Sequence, residues 1–335
     1  MSVYIIAEAG DNHNGDFHLA LKLIDVAVGS GADCVKFQTF VTEEVISRRA
    51  KKAEYQKAST GSDESQFEMV KKLELSFKDF QDLNAYCQSK RIQFLSTPFD
   101  LPSIAFLDTL DMPFWKIPSG EVTNLPYLLA IGKTKKPVVM STGMCEMTEI
   151  KAAMEVLRAN GTPKITLLHC NTEYPTPFED VNLRAMLTMK EHFGVDVGYS
   201  DHTKGIEVPI AAVAIGATII EKHFTLDRSL PGDDHYLSVD PPLLATMVRN
   251  FRVIEKALGN PHFGVQSGEE QARLFARRSI VSAVFIPMGA TITPEMLIMK
   301  RPGTGISPSE VPHLVGRRAT VDIQPDTIIS WDMVD

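Results

Sequence analysis

Eight short runs of strand character recur along the N-terminal part of the chain, each followed by a segment of helical periodicity. The runs are VYIIAEAG from Val3, DCVKFQT from Asp33, IQFLSTP from Ile92, FWKIPS from Phe114, PVVMST from Pro137, ITLLHC from Ile165, DVGYSD from Asp196 and TIIEKHF from Thr218. Between them lie stretches such as FHLALKLIDVAVGSG and EIKAAMEVLRANG, closed by a glycine suited to a helix C-terminus. Eight such units over roughly 250 residues have the size and rhythm of an α/β chain closed into a (β/α)8 TIM barrel. An open doubly wound sheet fits less well, because no GxGxxG turn follows the first strand.

Two connections break the rhythm. Val41 to Leu75 carries RRAKKAEYQKASTGSDESQ, charged and poor in bulky apolar residues, which suits a surface excursion or a lid over the barrel mouth. Leu226 to Pro242 reads as a second loop on the same side, and the helix MVRNFRVIEKALG then closes the barrel near Gly259. The composition changes after that point. Residues 1–259 are read as the barrel, 260–279 as a polar linker, and 280–335 as a small β-rich domain with strand-like pieces SIVSAVFIP, RRATVDI and TIISWDMV.

The balance of 34 Lys and Arg against 42 Asp and Glu, with no dense basic run, argues against a nucleic-acid partner. No apolar run has the length of a membrane span, and MSVYIIAEAG lacks the basic start of a signal peptide, so a cytoplasmic protein is expected. Cys34, Cys87, Cys145 and Cys170 are widely spaced and read as reduced thiols, mostly buried.

In a barrel of this type the chemistry gathers at the C-terminal strand ends. Those ends are polar throughout the chain. His202 and His223 end consecutive strands, each with an acidic neighbour, Asp201 and Glu221, of the kind that orients a metal-bound imidazole. Two imidazoles with open remaining positions suit a divalent cation acting as a Lewis acid, Mn with Mg or Co as alternatives. Lys36 and Lys116, near the hydroxyls of Thr97, Ser119 and Ser141, suit a phosphate or a carboxylate. A Schiff-base aldolase is the rival use of such a lysine, although it would not need the histidines. Glu8 and Glu121 could orient sugar hydroxyls or move protons, and His13 could contact substrate or serve only as a turn residue. Parity turns Lys222 away from the lumen.

The motifs AEAGDNHNG, VKFQTF, FLSTPFD, WKIPSGE, STGM, LHCNTEYPTPFEDVNL, GYSDHT, EKHFTLD and KRPGTGIS, in this order along the whole chain, resemble the sialic acid synthase family. The resemblance implies a barrel followed by a C-terminal antifreeze-like (SAF) domain. It also implies a domain-swapped homodimer in which the small domain of one subunit covers the barrel mouth of the other. The implied reaction is metal-dependent condensation of phosphoenolpyruvate with N-acetylmannosamine and water, giving N-acetylneuraminate and phosphate by C–O cleavage. The second choice of sugar is 2,4-diacetamido-2,4,6-trideoxymannose, leading to N,N'-diacetyllegionaminate.

Carried over motif by motif, Lys36, Thr97, Lys116, Ser119, Ser141, Thr172, Tyr174 and Ser200 resemble the phosphoenolpyruvate site. His202 and His223 resemble the metal ligands, with Glu8 as a catalytic or orienting group. Glu8, Gln38, Glu121 and Asp234 resemble groups that face the sugar, and Arg301 the arginine that reaches its acetamido group across the dimer. Asp11 and Tyr236 depart from the commonest family wording beside the sugar.

Overall fold

The structure is a computed structural model describing residues 2–50, 65–232 and 234–335. It divides into two compact units, Met1–Gly259 and Asn260–Asp335.

In the first unit all eight expected strands form. They are β1 (Tyr4–Gly10), β2 (Cys34–Thr39), β3 (Gln93–Pro98), β4 (Trp115–Ile117), β5 (Val138–Ser141), β6 (Ile165–His169), β7 (Val197–Asp201) and β8 (Ile219–His223). The ladder runs β3-β2-β1-β8-β7-β6-β5-β4, with every registered pair parallel, and β3 packs beside β4 to bring the ends together. This is a nearly closed TIM-type barrel. Ile5, Ile6 and Ala7 are all fully buried, because one face of a barrel strand fills the lumen while the other packs under the helices. Each such Ile or Leu side chain contributes about 1.5–3 kcal/mol of burial free energy.

Eight helices cover the barrel: α1 (Phe17–Ser30), α2 (Phe77–Lys90), α3 (Leu101–Asp108), α4 (Leu125–Lys133), α5 (Met147–Ala159), α6 (Ala185–Phe193), α7 (Glu207–Ala214) and α8 (Pro241–Leu258). Their limits follow local chemistry. Asp16 caps α1 by accepting from the His18 and Leu19 amides, and Gly31 ends it in the left-handed region at φ 77°. Ser76 and Asp79 form a capping box at the start of α2. The last helix begins earlier than the sequence reading placed it. Asp240 caps it and Pro241 occupies its first turn, where proline's fixed φ suits a helix start, so the expected loop ends at residue 240.

Among its described residues the long connection after β2 holds a helical turn, Thr42–Val45, and a short helix, Gln66–Lys71, started by a Ser65 and Glu68 capping box. Much of the charged stretch expected to form the excursion, residues 51–64, lies outside the described residues, as does Asp233 in the later loop.

The second unit has its own core of Ile280, Ile292, Ile306, Leu314, Ile329 and Val334. Strands β9 (Ser279–Ser282) and β10 (Leu297–Lys300) pair antiparallel. The other strand-like pieces contribute single bridges, Ile286 with Ile323, Val281 with Ile328 and Ala319 with Val334, instead of long ladders. The polar stretch ahead of β9 contains a short helix, Glu270–Ala276.

Candidate active site

A cavity of about 430 Å³ opens at the C-terminal ends of the barrel strands. Its polar lining includes Glu8, Lys36, Gln38, Thr97, Lys116, Ser119, Ser141, Thr172, Tyr174, Ser200, His202, His223 and Asp234. The sequence reading therefore brings most of its candidate residues to one place. Glu121 is not among the lining residues; it sits half-buried in the turn after β4 and accepts from the Asn124 amide group at 2.6 Å. Arg301 lies in the second unit, exposed just after β10.

Two buried lysines anchor the floor. Lys36 Nζ donates to Thr97 Oγ1 at 2.9 Å and pairs with Glu8 Oε2 at 2.8 Å. Lys116 Nζ donates to Ser141 Oγ at 2.8 Å. Glu221 lies between them, 3.7 Å from Lys36 and 3.5 Å from Lys116, and accepts from Ser200 Oγ at 2.8 Å. The sequence reading gave Glu221 the task of orienting His223. Its carboxylate instead joins the two cations, which span the lumen from β2 and β4.

Burial shapes the protonation of this cluster. It lifts the Glu8 carboxyl above the ordinary carboxylate range; Lys36 draws it back only in part, and Glu221 adds to the rise. Burial would also lift Glu221, but the Lys116 and Lys36 ammonium groups and the Ser200 hydroxyl outweigh it and hold that carboxyl low. For Lys36, Glu221 and Glu8 more than offset burial, so its pKa rises. Lys116 is depressed by burial, which Glu221 offsets only in part. Lys36 and Lys116 thus share the Glu221 carboxylate, while the raised Glu8 carboxyl beside Lys36 is poised to take up or release a proton.

The imidazoles stand at the rim with ring centroids 5.5 Å apart. His202 donates from Nδ1 to the Asn171 carbonyl at 2.5 Å, which leaves the Nε2 lone pair for a ligand. The expected orienting carboxylate, Asp201, points to the opposite face of β7, where it pairs with Lys222. Strand parity explains the correction: Ser200 faces the lumen, so Asp201 must face out. His223 Nδ1 is buried and makes no hydrogen bond, although Asp234 Oδ2 lies 3.3 Å away. The Tyr174 ring packs 4.2 Å from His202. Burial lowers both imidazole pKa values, with His202 and Lys36 lowering His223 further. Both rings are therefore neutral at pH 7, as metal ligation requires.

The donor set fits a divalent cation. One imidazole keeps a directed lone pair and the other has an orphaned buried nitrogen. Among the described residues no group of three or more His, Cys, Asp or Glu side chains is arranged to hold a metal.

Gly143 closes one corner. A Cβ there would collide with Thr172 Oγ1 and crowd Cys170 Sγ and Ser119 Oγ, while its amide donates to Ser119 Oγ at 2.9 Å. His13 proves to be a turn residue, accepting at Nδ1 from the Gly15 amide at 3.0 Å. The four cysteines are free, and only Cys145 is partly exposed. Among the described residues no helix is long and apolar enough to cross a membrane.

Residues 23–263 match the model of the NeuB family, and residues 277–335 that of the SAF domain. An N,N'-diacetyllegionaminic acid synthase of Campylobacter jejuni is 48% identical over 327 residues, 97% of this chain and 98% of that protein. The enzyme of the same name from Legionella pneumophila is 44% identical over 339 residues, 100% of this chain and 95% of the other. Among solved structures, the N-acetylneuraminic acid (sialic acid) synthetase of Leptospira borgpetersenii, in complex with citrate, superposes with a TM-score of 0.71 at 37% identity. That match covers 81% of this chain and 90% of the other.

Proposed function

Because the chain belongs to the NeuB family, we propose that it condenses phosphoenolpyruvate with 2,4-diacetamido-2,4,6-trideoxymannose and water to give N,N'-diacetyllegionaminate and phosphate. It is a phosphoenolpyruvate-dependent nonulosonic acid synthase. The sugar is the second of the two expected from the sequence. Support for it over N-acetylmannosamine comes from the two legionaminic acid synthases, alike over nearly their whole lengths. The observation that carries the reaction class is the pair of lysines at the floor beneath a pair of neutral imidazoles at the rim.

The floor suits phosphoenolpyruvate, which carries a phosphate and a carboxylate on one small carbon frame. Lys36, Lys116 and the hydroxyls of Thr97, Ser141 and Ser200 hold and neutralise these groups by charge-assisted hydrogen bonds. Ser119 and Thr172, gathered round Gly143, bound the same compartment. His202 and His223 would hold a divalent cation, Mn with Mg or Co as alternatives, that supplies Lewis-acid polarisation of the sugar's aldehyde oxygen.

C3 of phosphoenolpyruvate forms a bond to the aldehyde carbon, whose oxygen takes a proton, and C2 becomes electron-poor. Water adds at C2 and gives up a proton, for which Glu8 is placed as acceptor between Lys36 and Gln38. Phosphate then leaves with the C2–O bond pair and takes the proton of the C2 hydroxyl, whose oxygen becomes the keto oxygen of the product. The buried cations stabilise that leaving charge. Gln38 and Asp234 face the sugar, as does Glu8 before the water step. Arg301 of the partner subunit would complete the sugar site in a domain-swapped homodimer. A Schiff-base aldolase would leave the two rim imidazoles without a task, and of the two lysines Lys36 is held protonated by Glu221 and Glu8.

The test is a substrate panel with purified protein, Mn and phosphoenolpyruvate, following phosphate release and product mass. The diacetamido sugar should give the highest kcat/KM, and EDTA should abolish turnover. Phosphate release with a simple aldose phosphate, or trapping of pyruvate by borohydride in EDTA, would overturn the proposal.

A further inference from the structure

One side of the cavity wall is not polar. Beyond Gln38 the lining passes to Phe40, Val45, Ile46, Met69, Val70 and Leu73, while the cavity's lysines, Lys36 and Lys116, lie at the floor. These apolar residues come from the excursion after β2, which is fastened at several points. Glu74 accepts from the Thr42 amide at 2.8 Å and from Thr42 Oγ1 at 2.5 Å, and Lys71 pairs with Glu43 and Glu74 at 2.9 Å each. A Cβ on Gly15, whose φ is +73°, would collide with the Lys72 carbonyl, so the loop after β1 and the excursion lie in close contact only because that residue is glycine. Phe40 and Met69 are buried. The apolar wall is thus a formed surface beside β1 and β2, and β1 separates β2 from the imidazole strand β8.

On the proposed reading, the sugar's aldehyde lies at His202 and His223. A six-carbon chain laid from there across β1 towards β2, past Glu8 and Gln38, would carry its far end towards this wall. We infer that the wall formed by Ile46, Met69 and Val70 is a specificity surface selecting an acetamido sugar with a C6 methyl group over one with a C6 hydroxyl or phosphate. A hydroxyl pressed against these side chains loses its water without gaining a partner. A phosphate would do so too, since among the described lining residues the lysines stand at the floor. A methyl group gains burial at the same place. Together these effects correspond to discrimination of about tenfold or more, the ordinary yield of one small group in an apolar pocket.

The experiment uses two probe sugars that differ only at C6, 2-acetamido-2,6-dideoxymannose and 2-acetamido-2-deoxymannose. Neither carries a 4-acetamido group, so the comparison is independent of which nonulosonic acid is the natural product. The wild-type protein should favour the 6-deoxy probe by about tenfold in kcat/KM. Met69→Gln and Val70→Thr should bring the ratio towards one, Met69→Leu should keep it, and the KM for phosphoenolpyruvate should stay unchanged in all three. The ratio is also read as the two Kd values by calorimetry. A failure of the proposed reaction, seen as no phosphate release with any acetamido sugar, is thereby distinguished from a failure of the wall. A wild-type ratio at or below one, or a ratio that the polar variants leave unchanged, overturns the inference.

Discussion

Asp201 and Lys222 are cross-strand partners at the ends of β7 and β8, and the Lys222 ammonium meets the Asp201 carboxylate at 2.6 Å with neither side chain exposed. Asp201 Oδ1 also accepts from the Thr203 amide at 3.0 Å and from its hydroxyl at 2.8 Å, and Lys222 donates to the Thr203 carbonyl. Each member of the pair immediately precedes one of the rim imidazoles in the chain. On the outer face of the barrel the pair ties together the two strand ends that carry His202 and His223.

Removing one partner leaves the other charge buried. Lys222→Met should destabilise the protein by about 3–5 kcal/mol in urea unfolding, and the double variant Asp201→Leu with Lys222→Met should recover most of that loss. Equal destabilisation by the single and double variants would show that the strand ends depend on something other than this pair.

His13 makes stability depend on pH. It is 1% exposed, and burial pushes its pKa down to about 4, with Asp16 opposing only in part. An unfolded chain binds a proton at this imidazole below about 6.5, whereas the folded chain does not until about 4. The stability is therefore complete above the unfolded value and is lost as pH falls, by about 3 kcal/mol at most. Urea midpoints between pH 7 and 4 should fall less steeply in His13→Asn than in the wild type. Identical slopes would remove His13 from the account.

The floor lysines should act on phosphoenolpyruvate more than on the fold. Lys116→Met removes a charge-assisted contact and should lower kcat/KM for phosphoenolpyruvate by about 30- to 100-fold. Metal binding measured by calorimetry should persist, since Lys116 hydrogen-bonds Ser141 and approaches Glu221, and its charge if anything disfavours a cation near His202. An unchanged response to phosphoenolpyruvate would place that substrate elsewhere.

Much of this site was legible in the chain, for a physical reason. Strand parity and the polar strand ends determine which side chains enter the lumen, and Lys36, Lys116, His202 and His223 follow that rule. Parity also places Asp201 outside, opposite Lys222, so that error came from reading chain adjacency as spatial adjacency. The place of Glu221 was less accessible: parity puts it in the lumen, but only the closed barrel shows that it reaches lysines on β2 and β4. The apolar wall was hidden further. Its residues are scattered through a charged connection whose path depends on contacts such as Gly15 with Lys72.

The proposed domain-swapped dimer makes a prediction about mixing. His202→Ala and Arg301→Ala should each be nearly inactive alone. Co-refolding the two should restore activity, because one mouth of the heterodimer then combines an intact barrel with an intact Arg301. No recovery in a mixture shown to contain heterodimer would place Arg301 with its own barrel, or outside the site altogether.

The most direct measurement of the central claim is a single competition with labelled substrate. Phosphoenolpyruvate carrying ¹⁸O in its bridging oxygen is offered with Mn and equal concentrations of N-acetylmannosamine and 2,4-diacetamido-2,4,6-trideoxymannose, and both products are weighed by mass spectrometry. The account predicts N,N'-diacetyllegionaminate as the main product and ¹⁸O in the released phosphate. N-acetylneuraminate as the main product, or phosphate without the label, would contradict it.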